Sequence, residues 1–195
     1  MQKPAAQADI ETGHFSIRHH PLDYFDRIYV INLTSRPDRR RQIVAEFARV
    51  DFHCRNIEWF AAIRPETKGP FESIGARGCF SSHLGVLEHA CAGRFDRVLI
   101  LEDDVDFATD SRARMNNIVE ELTVTPWDVF YGGGRLAKRV AFLNSLASVE
   151  PMTAIGCTHF VAFRGDAILR VRDYIAAQLD RPAGHPDGGP MHVDG

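Results

Sequence analysis

The sequence predicts an α/β fold, a single domain with a mainly parallel, twisted sheet flanked by helices. Short runs of apolar and β-branched residues alternate along the chain with segments of helical periodicity, which is the pattern of a parallel sheet covered on both faces. The chain has 195 residues, of which 45% are hydrophobic and 25% charged, values typical of one soluble globular domain. In such sheets ligands bind outside the carboxyl ends of the strands, so functional residues are expected there.

The first predicted strand is followed closely by a helix. Residues 27–33, RIYVINL, form a compact β-branched run typical of a buried strand. Ser35, with Asp38 three residues later, resembles a capping box, so a helix is expected to begin at this point. A second short strand is expected at 57–61, and the prolines and glycine of residues 64–73 predict a loop.

The rest of the chain continues the alternation of strands and helices. A helix is expected to begin at Ser81 or Ser82 and to end at Gly93, since glycine is typical of helix ends. The apolar run RVLIL at 97–101 predicts the next buried strand, and Asp110 is expected to cap the helix after it. The remaining predicted elements are strands at 127–131 and 159–163 and a last helix with its apolar face over 167–179.

Charge, cysteine content and hydropathy exclude several classes of protein. The net charge of −3 and the pI near 6.3 argue against a nucleic-acid-binding protein. No two of the four cysteines have a metal-site or redox spacing, so we expect reduced thiols in a reducing compartment. Residues 1–22 are predicted to be a flexible leader without a signal-peptide core, and no apolar run reaches the roughly 20 residues of a membrane span. We therefore expect a cytoplasmic protein with at most peripheral membrane contact, whose domain covers residues 23–195.

Three adjacent carboxylates, Glu102, Asp103 and Asp104, follow the strand predicted at 97–101. They repel one another and gain little from packing, so their position at a strand end favours a functional role. Alternation along an extended chain would put Glu102 and Asp104 on the same side. Their oxygens would then suit Mg²⁺ or Mn²⁺, which could also bridge the phosphates of a nucleotide. The alternative is a solvated acidic turn ahead of a helix.

The segment from Gly75 to His83, GARGCFSSH, is a second candidate and is expected to be a turn that leads into a helix. Gly75 and Gly78 would permit close approach of the backbone, and the free N–H groups at a helix start attract anions. Arg77 could pair with a phosphate, and Ser82 or His83 could form hydrogen bonds with the same ligand. The alternative is a plain glycine-rich turn in which a serine caps the helix.

Three further segments are weaker candidates. Residues 36–41, RPDRRR, follow the first strand, and one or two of the arginines could face a nucleotide while the others form a solvated helix face. Residues 132–134, three glycines, end a later strand at the same predicted edge and could lie against a ligand or form a flexible loop. Asp187, His192 and Asp194 lie in a Gly/Pro-rich end that is either functional or a disordered tail.

Taken together, these motifs resemble glycosyltransferase family 25, the bacterial lipooligosaccharide galactosyltransferases and their collagen-modifying relatives. The matching stretches appear in the family's order: 27–33 with Arg36 and Arg39, 75–83, 98–105, 156–163 with Ala167, and 193–194. The resemblance implies a GT-A-like fold that binds a nucleotide sugar, a UDP-sugar donor, a divalent metal and, in most members, transfer of galactose.

The resemblance also implies roles for individual residues. Those that fall on its two donor-side motifs are Asn32, Arg36, Arg39, Ser82 and His83. Glu102, Asp103 and Asp104 take the place of its Asp-x-Asp motif, so Glu102 and Asp104 would hold the metal and Asp103 would contact the donor. Asp194 falls on a late acidic position and is the expected catalytic base. Relatives continue beyond this position, so we expect part of the acceptor site to be missing.

The expected activity is that of a hexosyltransferase that moves galactose from UDP-galactose to a saccharide or glycolipid acceptor such as lipooligosaccharide. Mn²⁺ or Mg²⁺ would assist, and the family's bond chemistry implies inversion at the anomeric carbon. The alternative is a non-catalytic module, a truncated or decayed relative that binds a nucleotide sugar but lacks a base and an acceptor groove. A metal-dependent phosphohydrolase also places carboxylates after a strand, but the downstream acidic motif expected of such enzymes is lacking.

Overall fold

The structure, a computed structural model, describes residues 20–136, 140, 142, 144–150 and 153–193. Its main strands are β1 (Arg27–Asn32), β2 (Ile57–Ala61), β3 (Arg97–Glu102), β4 (Val129–Tyr131) and β7 (Phe160–Arg164). Its α-helices are α1 (Pro37–Arg49), α2 (Ile74–Gly93), α3 (Ser111–Val124) and α4 (Asp166–Leu179). A separate two-stranded ribbon pairs β5 (Arg135–Leu136) with β6 (Ile155–Gly156).

The five main strands form one mixed sheet in the order β2-β1-β3-β7-β4. Strand β1 is parallel to both β2 and β3, whereas β7 is antiparallel to its neighbours β3 and β4. Four strands therefore share one direction, and the prediction of a mainly parallel α/β sheet flanked by helices is confirmed. Because β7 runs the other way, it begins at the edge where β1, β3 and β4 end.

The core lies on both faces of the sheet, since successive side chains of β1 and β3 alternate between them. Val30 and Leu101 face a cluster that also holds buried side chains of α1 and α3. Ile31 and Ile100 face a second cluster, which holds buried side chains of α2 and α4. The first two α-helices thus cover opposite faces, and the strand order reverses between β1 and β3. Ligands bind in the crevice at such a switch point.

Helix α2 begins earlier than expected, at Ile74 rather than at Ser81 or Ser82. Its N-cap is Ser73, whose hydroxyl accepts a hydrogen bond of 3.0 Å from the backbone N–H of Ala76. The prediction that a turn precedes the helix over residues 75–80 was therefore wrong. Glycine at 75 and 78 suggested a turn, but at Gly78 it serves packing: a Cβ there would lie 2.8 Å from the carbonyl oxygen of Ile63.

Other helix-end predictions hold only in part. Helix α1 begins at Pro37, but its N-cap is Arg36 without a side-chain capping bond, so the capping box of Ser35 and Asp38 was wrong. Asp110 is the N-cap of α3, as predicted, yet its carboxylate pairs with Arg114 instead of capping the helix. Gly93 is the last residue of α2, and the left-handed conformation after it belongs to Arg94, with φ of 54°.

Part of the predicted leader belongs to the folded domain. Residues Pro21–Tyr24 form a 3₁₀ helix, and the side chains of His20 and Leu22 are buried. Residues 1–19 lie outside the described part of the chain. Within that part, no helix combines the length and the apolar character needed to cross a bilayer. All four cysteines are described; they are half-buried, and none forms a disulfide.

The tight contact at Gly78 predicts a stability difference between two glycines of the same helix. We expect Gly78→Ala to lower the free energy of unfolding by about 1–3 kcal/mol, because the added methyl group overlaps backbone that cannot move freely. Gly75→Ala is the matched control. Its Cβ would meet only the Ser73 hydroxyl at 3.6 Å, so higher helix propensity should raise stability by up to about 1 kcal/mol. Urea unfolding of both variants checks this, and equal effects would contradict the packing argument.

Candidate active site at the carboxyl ends of β1 and β3

The acidic triplet lies at the switch point of the sheet. Glu102 is the last residue of β3, and Asn32 is the last residue of the adjacent β1. After Glu102 the chain turns tightly, with the backbone N–H of Val105 bonded to the Glu102 carbonyl oxygen at 3.2 Å. The extended chain assumed from the sequence is therefore wrong for residues 103 and 104. The turn nevertheless leaves carboxylate oxygens of Glu102 and Asp104 within 4.8 Å of each other.

One oxygen of Glu102 is bound by donors from neighbouring elements. Its Oε1 lies 3.1 Å from Nε2 of His83 on α2, 3.0 Å from the hydroxyl oxygen of Thr158, and 3.8 Å from the sulfur of Cys79. Because an ionised carboxylate can only accept hydrogen bonds, Nε2 of His83 must carry the hydrogen. Burial raises the pKa of Glu102, but the bonds and charge of His83 and the bond from Thr158 outweigh burial and lower the pKa to about 2.

The low pKa of Glu102 predicts a specific loss of stability in acid. Since the folded-state pKa of about 2 lies below the ordinary value of 4.5, the stabilisation is complete above pH 4.5 and is lost as the pH falls. Between about pH 6 and about pH 3, the parent should lose about 2 kcal/mol more unfolding free energy than Glu102→Gln. Urea unfolding at the two pH values measures this difference, and identical losses would contradict the assigned contacts.

The other oxygen of Glu102 faces a more open group of side chains. Nδ1 of His159 lies 3.7 Å from Oε2 of Glu102 and 3.5 Å from Oδ1 of Asp104. The side chains of Asp104 and His159 are 44% and 46% exposed, so a ligand can reach them. Two carboxylate oxygens and one imidazole nitrogen, all within 4.8 Å of one another, fit a divalent cation such as Mn²⁺.

Cys79, His83 and Glu102 are also close enough together to resemble a metal site. However, Nε2 of His83 and the sulfur of Cys79 both form hydrogen bonds with the same oxygen of Glu102, Oε1. A nitrogen that carries a hydrogen has no lone pair for a metal. The chemistry of this group is that of a hydrogen-bonded network, and the open side with Asp104 and His159 is the better fit to a cation.

Asp103 points to the other side of the switch point, toward β1. Its Oδ2 accepts a hydrogen bond of 2.5 Å from Nδ2 of the buried Asn32. Burial raises the pKa of Asp103, and the charge of Asp104 acts in the same direction, whereas the Asn32 bond and the charges of Arg39 and Arg36 oppose this. Two predicted donor-side arginines therefore lie near the acidic triplet. Arg36 is exposed and pairs with Asp38 at 2.7 Å.

Two other predicted donor contacts are engaged in internal hydrogen bonds. The hydroxyl of Ser82 is buried, donates to the Gly78 carbonyl at 2.7 Å and accepts from the Ile63 N–H at 2.8 Å. It therefore joins α2 to the segment after β2. Arg77 donates at 2.9 Å to the carbonyl of Thr67, in the predicted loop at 64–73. Of the residues singled out in 75–83, His83 is the one that contacts the triplet directly.

Comparison with known proteins finds relatives that are named as glycosyltransferases. The chain is 32% identical over 129 residues to a protein named inactive glycosyltransferase 25 family member 3 from Homo sapiens, a match covering 56% of this chain and 22% of that protein. It is 25% identical over 129 residues to procollagen galactosyltransferase 2 of Mus musculus, covering 56% and 21%. It is 25% identical over 158 residues to procollagen galactosyltransferase 1 of Danio rerio, covering 65% and 25%.

The resemblance to glycosyltransferase family 25 is confirmed. These homologues are named as glycosyltransferases, two as procollagen galactosyltransferases and one as inactive. No protein-family model matches the chain. The matched part spans about a quarter or less of each of these relatives.

Asp194, which the resemblance to family 25 assigns to a late acidic position, lies outside the described residues. The two residues before Asp194 contact the rest of the domain. Val193 packs against the core cluster beside α2, and Nε2 of His192 lies 2.8 Å from a carboxylate oxygen of Glu72, just ahead of that helix. The role of Asp194 as a base stays a prediction.

Sequence reasoning missed Thr158 and His159 because it did not recover the direction of β7. A parallel strand would have placed its first residues at the far edge of the sheet. In the antiparallel arrangement, the carbonyl of His159 accepts a hydrogen bond of 3.1 Å from the backbone N–H of Glu102. The available signal was the segment 156–163, which resembles family 25. Within that segment, Cys157 directly precedes Thr158 and has φ of 77°, an uncommon left-handed backbone conformation that often occurs at functional sites.

Proposed function

We propose that this chain is a glycosyltransferase that moves galactose from UDP-galactose to a saccharide acceptor, with Mn²⁺ bound at the switch point. The observation that supports this most directly is the convergence of Glu102, Asp104 and His159 where β1 and β3 end. The homologues add support because their names include galactosyltransferases.

The residues that would hold the metal are Glu102, through Oε2, with Asp104 and His159. Mn²⁺ held by these residues would supply positive charge to offset the negative charge that develops on the diphosphate of the leaving UDP. The low pKa of Glu102 keeps this carboxylate ionised at neutral pH, as a metal ligand must be. Mg²⁺ is the other candidate cation, although an imidazole ligand favours Mn²⁺ over Mg²⁺.

The nucleotide would lie on the β1 side of the metal. Asn32 holds Asp103 in place by donating the hydrogen bond of 2.5 Å, so that the Asp103 carboxylate can accept hydrogen bonds from hydroxyl groups of the donor. Arg36 and Arg39 stand at the start of α1, close enough to Asp103 to affect its pKa. Their guanidinium groups suit the recognition of phosphate, and the helix start beside them favours anions.

An inverting transfer would proceed by direct attack of an acceptor hydroxyl on the anomeric carbon. The new bond joins the acceptor oxygen to that carbon while the bond from the carbon to the UDP oxygen breaks, and UDP leaves with the electron pair. The hydroxyl proton passes to a carboxylate base, for which Asp194 is our candidate. We propose a saccharide or glycolipid acceptor, and a cytoplasmic protein with at most peripheral membrane contact.

The second candidate is a non-catalytic module that binds a nucleotide sugar. The observation in its favour is that several relatives are named inactive or probable inactive glycosyltransferases. Both candidate functions include binding of the nucleotide sugar, but only the enzyme would transfer the sugar to an acceptor.

A transfer assay separates the two candidates. The chain is incubated with UDP-galactose and Mn²⁺, with galactose-free lipooligosaccharide or a collagen peptide as acceptor, and release of UDP is followed. The enzyme proposal predicts acceptor-dependent UDP release that stops when a chelator removes the metal. Donor binding without UDP release for either acceptor would favour the non-catalytic module.

A further inference from the structure

We propose that His83 and Thr158 are positioning residues that engage Oε1 of Glu102, so that Oε2 alone is presented to the metal. This inference rests on the proposed metal-dependent function. It assigns separate tasks to the two oxygens of one carboxylate and excludes His83 and Cys79 from the ligand set.

The hydrogen bonds to Oε1 come from two separate elements. His83 lies on α2, and Thr158 precedes β7, yet both donate to the same oxygen at 3.1 and 3.0 Å. Both side chains are buried, whereas the Glu102 side chain is 22% exposed. Donors fixed on two elements prevent the carboxylate plane from rotating. Oε2 is left on the side of Asp104 and His159, where the candidate ligands lie.

The position of His83 is itself fixed by close packing of α2. A Cβ on Gly85 would lie 2.8 Å from the ring of Phe60, and one on Gly78 would lie 2.8 Å from the Ile63 carbonyl oxygen. Two glycines therefore bring this helix close to the end of β2 and the segment after it. A helix held at this distance places the imidazole of His83 within hydrogen-bond reach of Glu102.

The test is a manganese titration in the presence of UDP, followed through the electron paramagnetic resonance signal of free Mn²⁺. Thr158→Val and His83→Leu each remove one donor to Oε1 and should weaken Mn²⁺ binding by about 10–100-fold, the usual effect of losing a partner that orients a metal ligand. Thr158→Ser and His83→Gln keep a donor at the same atom and should bind Mn²⁺ within a few-fold of the parent. Thr123→Val, a hydroxyl removed at the exposed end of α3, is the control and should change nothing.

The same titration identifies the ways in which the inference fails. If His83→Gln binds Mn²⁺ as weakly as His83→Leu, the imidazole is a ligand and the positioning role is wrong. A thiolate-to-metal charge-transfer band with Co²⁺ would likewise place Cys79 in the site and overturn it. If the parent and all variants bind Mn²⁺ equally, the inference fails while the proposed function stands. If the parent binds no Mn²⁺ with UDP, both fail.

Thermal unfolding without metal shows whether each variant is folded. Should His83→Leu not fold, the comparison of Thr158→Val with Thr158→Ser decides the question. That pair differs in whether a hydroxyl donor remains for Oε1, and equal Mn²⁺ affinities for the two would contradict the inference.

Discussion

Asp104→Ala is expected to abolish manganese-dependent binding of UDP without unfolding the protein. Asp104 supplies one of the two carboxylates that face the candidate cation, and its side chain is 44% exposed, so its removal disturbs little packing. Without it, UDP affinity in the presence of Mn²⁺ should fall by roughly 100-fold or more, since a bound metal contributes several kcal/mol to charge stabilisation. Titration calorimetry of UDP with and without Mn²⁺ measures the effect.

The matched control for this variant is Asp106→Ala, two residues further along the same loop. The Asp106 carboxylate is 91% exposed, and its ion pair is with Arg49 at 3.6 Å, on α1. Loss of a negative charge alone should therefore leave UDP binding close to that of the parent. Unchanged UDP affinity in Asp104→Ala, or an equal loss in both variants, would reject the assignment of Asp104 as a metal ligand.

Asp194→Asn is expected to reduce turnover by roughly 10²–10⁴-fold while donor binding stays nearly intact, because that range is the usual contribution of a general base. Steady-state rates of UDP release, compared with UDP-galactose affinity measured separately, check both parts of this prediction.

The control is Asp180→Asn, at the end of α4, which removes a charge from an exposed carboxylate of the same C-terminal region. Its turnover should match that of the parent. Turnover of Asp194→Asn within a few-fold of the parent would reject Asp194 as the base. Absence of turnover in the parent itself would favour the module that only binds the donor.

Much of the fold could be predicted because the apolar runs in the sequence coincide with the strands and helices that pack in the core. The strand at 57–61 has the predicted bounds, and the run at 97–101 forms a buried strand that extends by one residue to Glu102. The predicted helix after Asp110 also forms. In β3 the continuous apolar run corresponds to four consecutive buried residues, and in α3 the predicted apolar face contains the buried Met115 and Leu122.

Local sequence pattern predicted the candidate site where its residues lie at the end of a strand, and the family resemblance added His83 on α2. Glu102 and Asn32 qualify, since the ends of neighbouring parallel strands meet at one edge. Thr158 and His159 do not, because their place depends on the direction of β7, which a single apolar run does not encode. The start of α2 was misplaced for a related reason: Gly78 reports a tertiary contact with Ile63, not a local turn.

The central claim, a metal-dependent nucleotide-sugar site at the switch point, is tested most directly by a thermal-shift panel of UDP-sugars with and without Mn²⁺. A ligand that binds only the native state must raise its stability, by about 2.7 kcal/mol at 100 times its Kd. We predict that UDP-galactose with Mn²⁺ raises the Tm most, that UDP-galactose alone raises it little, and that Asp104→Ala removes the metal-dependent part. The claim would be contradicted if no UDP-sugar shifts the Tm in the presence of Mn²⁺, or if the shift persists unchanged in Asp104→Ala.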